Sequence, residues 1–211
     1  MAYRSSSNLA YVVSPFAVPV PAGAASGDIA VLGIYLEASG TLTLPSGFTQ
    51  KYDSGMIGSV RIVVAWKRLT GADSGTYSSS GSGLAGSAGC TLFSGRIGTG
   101  DPFEASSTNN ATGTTVTCAA LSPAASGDDL WGGASSFAGG SWTPPSGMTE
   151  RVDSDFDQNS ADNIAAGSTG TKTFTCSGSG QMIAWLGALL PATGGGSPIP
   201  PFLVMQTRRA Y

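Results

Sequence analysis

PSGFTQKYDS, residues 45–54, returns as PSGMTERVDS at residues 145–154. Six of the ten positions are identical, and Phe48/Met148, Gln50/Glu150 and Lys51/Arg151 are conservative exchanges. AASGD at 24–28 likewise returns at 124–128, with the same spacing of 100. A third echo sets TYSSSGSG (76–83) against TFTCSGSG (173–180). Self-similarity at a fixed interval and in constant order is the mark of a repeated supersecondary unit.

Each copy reads with the same grammar. Ala-Ala-Ser-Gly-Asp is a turn, and it launches an apolar strand: Ile29 to Leu36 in the first copy, Leu130 to Phe137 in the second. A short Thr/Ser-rich strand then ends at Pro45 or Pro145, where Pro-Ser-Gly makes a turn that these residues favour. Phe48 or Met148 plugs the core beyond it. In the first copy Val60–Arg68 alternates as a strand buried on one side. Apolar strands close both copies, at Gly89–Ser94 and Met182–Leu190.

The composition agrees. Gly numbers 31, and only 11% of residues are charged, against about 25% in ordinary soluble domains. Few helix formers are present, so short strands with Gly/Ser turns are expected throughout. A half of this size buries too little apolar surface alone, and there are no helices to cover a sheet. The expected fold is therefore an all-β, jelly-roll-type β-sandwich of residues 1–193 with an internal pseudo-twofold duplication. Its halves span about 10–100 and 110–193, each giving strands to both sheets. Two tandem sandwiches divided near Gly100–Asn110 satisfy the same pattern. GTGDPFEASSTNNATG (98–113) is then a linker in one arrangement and a crossing loop in the other. LAYVVSPFAVPVPAGA (9–24) reads as a first strand rather than a cleaved leader, because Arg4 is a thin basic region and Pro15, Pro19 and Pro21 interrupt the run.

After Pro191 the register changes. GGGSPIPP (194–201) joins flexible glycine to stiff proline, and FLVMQTRRAY (202–211) follows as a detached apolar strand. Phe202, Leu203, Val204, Met205, Arg208, Arg209 and Tyr211 would form an arm. It could fold back as an edge strand or add a strand to another subunit.

Chemistry for catalysis is scarce. The chain has no histidine, which removes Ser-His-Asp and Cys-His nucleophiles and the commonest general base. No phosphate loop and no G-x-S-x-G elbow occur. A net charge of −3 argues against nucleic acid, and no apolar run is long enough to cross a bilayer as a helix. Three cysteines, an odd number, read as reduced buried thiols of a protein made in a cytoplasm. DSDFDQNSAD (153–162) begins like a calcium loop with Asp153, Asp155 and Asp157. Gln158 and Ile164 then stand where that loop needs Gly and a bidentate acid, and a solvated acidic loop is the plainer reading. Trp66, Trp131 and Trp185 lie in apolar strands as core. Trp142, beside Pro144 and Pro145, is either a core plug or a loop aromatic that stacks on a sugar ring.

In series, PAGAASGDIAV (21–31), LPSGFT (44–49), AWKRLTGADSGTY (65–77), DPFEA (101–105), PPSGMTER (144–151), GSTGTKTFT (167–175) and AWLGALLPA (184–192) resemble a family of β-sandwich proteins. These are minor tail and other virion structural proteins of bacteriophages that infect actinobacteria. The likeness spans about residues 10–193, and VMQTRRAY (204–211) is similar to C-terminal tails in that family. The resemblance implies a non-enzymatic virion component, made in the host cytoplasm and partnered by its own copies and other tail or capsid proteins. It carries no catalytic residues and no cofactor. A capsid-decorating protein, or a carbohydrate-binding module recognising the host envelope through Trp142 and calcium, are the alternative roles.

Overall fold

The computed structural model describes residues 3–124 and 126–192. These residues contain strands, turns and bends and no helix. The strands in chain order are β1 (Tyr3–Val13), β2 (Phe16–Pro19), β3 (Ile29–Leu36), β4 (Thr49–Asp53), β5 (Arg61–Arg68), β6 (Thr76–Ser79) and β7 (Ala85–Phe93), then β8 (Phe103–Cys118), β9 (Asp128–Ser136), β10 (Trp142–Thr143), β11 (Thr149–Val152), β12 (Phe156–Ile164) and β13 (Lys172–Leu189). The arm residues Phe202, Leu203, Val204, Met205, Arg208, Arg209 and Tyr211 lie outside the described residues.

Two large antiparallel sheets result. The first has the order β1-β7-β3-β5-β4, and the second runs β8-β13-β9-β12-β11 with β10 also on β13. Position for position the two orders are the same: first strand, last strand, second, penultimate, third. Each sheet is drawn from one half of the chain. The expectation that each half supplies strands to both sheets is corrected here, and the physical reason is loop closure. Each half closes its own sheet by pairing its first strand with its last, β1 with β7 and β8 with β13, so every loop stays within one half, where exchange would need strands from across the whole chain to meet. The segment 98–113 is likewise not a linker or crossing loop over most of its length, because β8 begins at Phe103 and pairs with β13. Its Gly and Asn residues read as loop composition. Gly113, at φ +144°, sits where the β8–β13 register shifts, which explains a glycine inside a strand.

A two-stranded piece, β2 with β6, packs over the outer face of the first sheet, helped by the Thr43–Ser80 bridge. The second half uses the start of β13 with the end of β8 and β10 for the same purpose. Both large sheets are thus covered on both faces. This explains why β3 and β9 are buried along their whole lengths, and why Ile62, Val63, Val64 and Ala65 of β5 are all buried rather than alternating.

Apolar side chains fill three layers. The outer layer of the first half holds Phe16, Val18, Leu32, Ile34, Val63 and Tyr77. That of the second holds Val116, Leu130, Trp142, Met148, Phe174 and Leu186. Between the sheets, Val31, Tyr35, Ile62, Val64 and Phe93 meet Phe103, Trp131, Phe156, Ile183 and Trp185. The aromatic rings interlock there: Trp131 and Trp185 lie 5.7 Å apart between centroids, and Phe103 meets Trp185 edge-on at 5.1 Å. At the closest point a β-carbon on Gly33 of β3 would lie 2.1 Å from Phe156 Cε1, and one on Gly133 of β9 would lie 2.6 Å from Phe156 Cζ. The Phe156 ring occupies the space those two glycines leave. Next to it, Thr91 Oγ1 of β7 donates to Gln158 Oε1 of β12 at 2.6 Å, a buried hydrogen bond that ties the sheets together.

The notch sets an expected outcome. Gly33→Ala destabilises the protein by about 1–3 kcal/mol through overpacking, and Phe156→Ala by about 3–5 kcal/mol through loss of a buried ring. Gly33→Ala combined with Phe156→Leu costs clearly less than the sum of its parts, because the smaller side chain vacates the clash. Urea denaturation of the four proteins measures this. Strict additivity would mean that the glycine and the ring do not share that space.

Candidate functional site

The acidic run of the second half is divided by the strand it enters. Asp153 and Asp155 lie in the bend before β12, exposed and half-buried respectively, while Asp157 is inside β12 and fully buried. Alternation in β12 sends Phe156, Gln158 and Ser160 toward the first sheet. Asp157 and Asn159 take the other face. The charge of Asp155 acts on Tyr11 and Tyr35, whose hydroxyls both donate to Glu37, and Asp155 is not among the groups that shift Asp157. Asp153, Asp155 and Asp157 are therefore not brought together as one ligand set, and no group of three or more His, Cys, Asp or Glu among the described residues is arranged around a metal.

A different trio does converge. Glu150 of β11 stands opposite Asn159 in the strand register, and its carboxyl is within hydrogen-bonding reach of Asp157. The Asn159 amide Nδ2 donates to Asp157 Oδ2. Apart from that approach of the two carboxyls, three buried oxygens, Glu150 Oε1, Asp157 Oδ1 and Asn159 Oδ1, have no donor among the described residues. Burial pushes Asp157 up to about 8; the Asn159 amide opposes this, and the charges of Glu150 and Asp153 add to it. Burial, with Asp153 nearby, also raises Glu150.

A second carboxyl pair lies at the start of β9. In the first half Arg4 of β1 holds Asp28 with two contacts, Nε–Oδ2 at 2.8 Å and Nη2–Oδ1 at 3.0 Å. One hundred residues on, the corresponding positions carry Glu104 and Asp128. Neither Asp128 oxygen has a hydrogen-bond donor among the described residues. Burial raises the Asp128 carboxyl well above its usual range, the facing Glu104 carboxyl raises it further, and Arg96 pulls the other way. The Glu104 carboxyl thus stands where the first half has the Arg4 guanidinium.

Trp142 is buried in the outer core of the second half, at 6% exposure, so its ring face is not offered to a sugar. Trp131 and Trp185 are core as expected, and Trp66 is half-buried, with the Arg68 guanidinium 5.5 Å from its ring centroid. Cys90, Cys118 and Cys176 are free and buried, and burial raises the thiols of Cys90 and Cys118. The best-formed cleft, about 460 Å³, lies beside β4 and β5. Its charged residues, Asp53 and Arg61, are spent on each other: Arg61 Nη2 and Nε reach Asp53 at 2.7 and 2.9 Å, and this holds the Asp53 carboxyl below its usual range.

Glu104 and Glu150 are the site residues that sequence reasoning missed. Setting the halves against each other residue by residue marks both, as Arg4/Glu104 and Gln50/Glu150. Compared with family models, curated proteins and solved structures, the chain matches none.

The raised acids fix the sign of a pH dependence. Asp157 and Asp128 are held above their ordinary values, so the folded protein keeps protons that the unfolded chain releases. Their contribution to stability is complete below about pH 4 and is lost as pH rises through the neutral range, to about 8 for Asp157. The melting temperature is expected to be higher at pH 5 than at pH 8.5. Glu104→Arg, which restores the pairing of the first half, should add about 1–3 kcal/mol at pH 8.5. It should also shrink the difference between the two pH values. Thermal melts across this range check both statements.

Proposed function

We propose that this chain is a non-enzymatic structural component of a bacteriophage particle, a minor tail protein that assembles through sheet edges and its C-terminal arm. The observation that carries this reading is the unpaired edge of β8. Among the described residues this strand of 16 residues is hydrogen-bonded to β13 on one side and to no strand on the other. Glu104 is its only charged residue, and Ser, Thr, Asn and Ala fill most of the rest. Exposed edges usually carry lysine, proline or a covering segment that blocks further pairing. In the first sheet the side chains of Ser5 and Ser7 of β1 donate to the carbonyls of Ala22 and Pro19, so the chain there packs against β1. β8 is interrupted where its register on β13 shifts near Gly113, but its first part, Ala105–Asn110, pairs without a break and carries no charge, which are the properties of a strand that accepts another.

The low overall charge supports the same reading, since weakly charged surfaces tolerate close packing in an assembly. So does the resemblance of residues 10–193 to tail and virion proteins. The arm, 194–211, would supply the added strand in a neighbouring copy or in another particle protein. A role on the capsid surface uses the same edge and arm, and the two differ only in the partner.

Removing residues 194–211 is expected to leave the melting temperature unchanged and to abolish self-association and incorporation into particles. Ser106→Lys with Asn110→Lys, both exposed on β8, should give the same loss with the arm intact. Light scattering of the purified proteins and particle incorporation read this out. Full incorporation of either variant would overturn the proposal.

A further inference from the structure

The trio Glu150, Asp157 and Asn159 is costly where it stands. Asp157 and Asn159 are both fully buried, and among the described residues Asp157 has the Asn159 amide as its side-chain donor and the Glu150 carboxyl beside it. A buried carboxylate with so few partners is strongly unfavourable unless it takes up a proton or a charge of opposite sign reaches it. The fold does not demand these residues. The matching strand order of the two sheets sets Asp157 and Asn159 of β12 against Val63 and Ala65 of β5, both buried and apolar. Gln50 stands where the second half has Glu150. On this face of the same two strands the first half carries one acid, Asp53 opposite Val63, and pairs it with the Arg61 guanidinium.

Three unpartnered oxygens on adjacent strands, all acceptors, are a ligand set in search of a cation. We propose that Glu150 Oε1, Asp157 Oδ1 and Asn159 Oδ1 bind a hard divalent cation, Ca²⁺. The donor chemistry selects it: carboxylate and amide oxygens only, with no nitrogen or sulfur ligand among the three. Glu150 is half-buried, so the β11 side admits the water that completes a coordination shell of 6–8 oxygens. Exposed Asp153 adds its field at the entrance. With three protein ligands the site belongs to the weak class, at a Kd of about 10⁻⁴–10⁻³ M. This inference is independent of the virion reading, because cation binding and particle assembly are measured separately.

The test uses the full chain, freed of metal with a chelator and studied at pH 8, where competition from protons is reduced. CaCl₂ at about a hundredfold excess over Kd should raise the melting temperature by about 5 °C or more relative to NaCl of equal ionic strength. Asp157→Asn should abolish that shift while the variant stays folded. Glu150→Gln, at a half-buried position where folding is at less risk, should weaken binding at least tenfold by calorimetry. No calcium-dependent shift in the wild-type protein overturns the proposal, and stabilisation by acidification alone would then assign the trio a shared proton. A shift that persists unchanged in both variants overturns it too, since the cation would be bound elsewhere.

Discussion

The Phe156 ring, seated between Gly33 of one sheet and Gly133 of the other, is the contact on which the architecture turns. Facing sheets ordinarily stand about 10 Å apart with side chains interdigitated between them. Here two glycines remove side chains from the midpoint and one aromatic ring replaces them. The neighbouring Thr91–Gln158 hydrogen bond fixes the alignment of β7 against β12, because a slide of one residue would leave both polar groups buried and unpaired. A β-carbon on Gly89 would fall 2.5 Å from Gln158 Nε2, so that bond too depends on a glycine opposite it. Around this centre the contacts become larger and then polar. Tyr52 stacks near Trp185, Thr108 donates to the Tyr52 hydroxyl, and the Arg151 guanidinium lies 3.7 Å from the centroid of the Tyr3 ring.

Because the central layer joins the halves, their outer layers are free to differ. The first half finishes its outer face with apolar residues and pairs its buried acid, Asp28, with Arg4. The second half places Asp157 and Asn159 on the matching face and sets Glu104 against Asp128. The same strand order therefore carries a nearly neutral interior in one half and an acid-rich one in the other. Electrostatics that differ while the backbone plan stays constant locate chemistry better than any single motif in this chain.

Much of the plan was legible. The two Pro-Ser-Gly turns and the two Ala-Ala-Ser-Gly-Asp turns place glycine at positive φ, with +81° and +76° at Gly47 and Gly147 and +85° and +100° at Gly27 and Gly127. Only glycine adopts such angles cheaply, so the turns announce themselves in the sequence. The pairing between strands did not, because local hairpins and exchange between sheets produce the same alternation of turns and apolar runs. β8 was hidden by its Ser, Thr, Asn and Gly, which describe an exposed edge as well as a loop. The acids misled for a related reason. Asp-x-Asp-x-Asp suggests solvent, yet Phe156-Asp-Gln-Asn-Ser160 alternates as a strand that the fold covers on both faces.

The edges of the sheets supply the last step. At β4 the edge carries Lys51 and Asp53, and at β11 it carries Glu150 and Arg151, so side-chain charge guards both. The chain that follows β1 packs against it. β8 is the longest of these four edge strands, 16 residues with Glu104 as its one charge against 11 residues and Arg4 in β1, and it follows directly on the crossover between the halves. The free edge of β8 faces away from β13, and the Phe156 contact lies three strands away in the order β8-β13-β9-β12, while Phe103 at the start of β8 itself belongs to the central layer. A strand added at β8 would therefore lie away from the Gly33–Phe156–Gly133 notch and next to the Phe103–Trp185 contact.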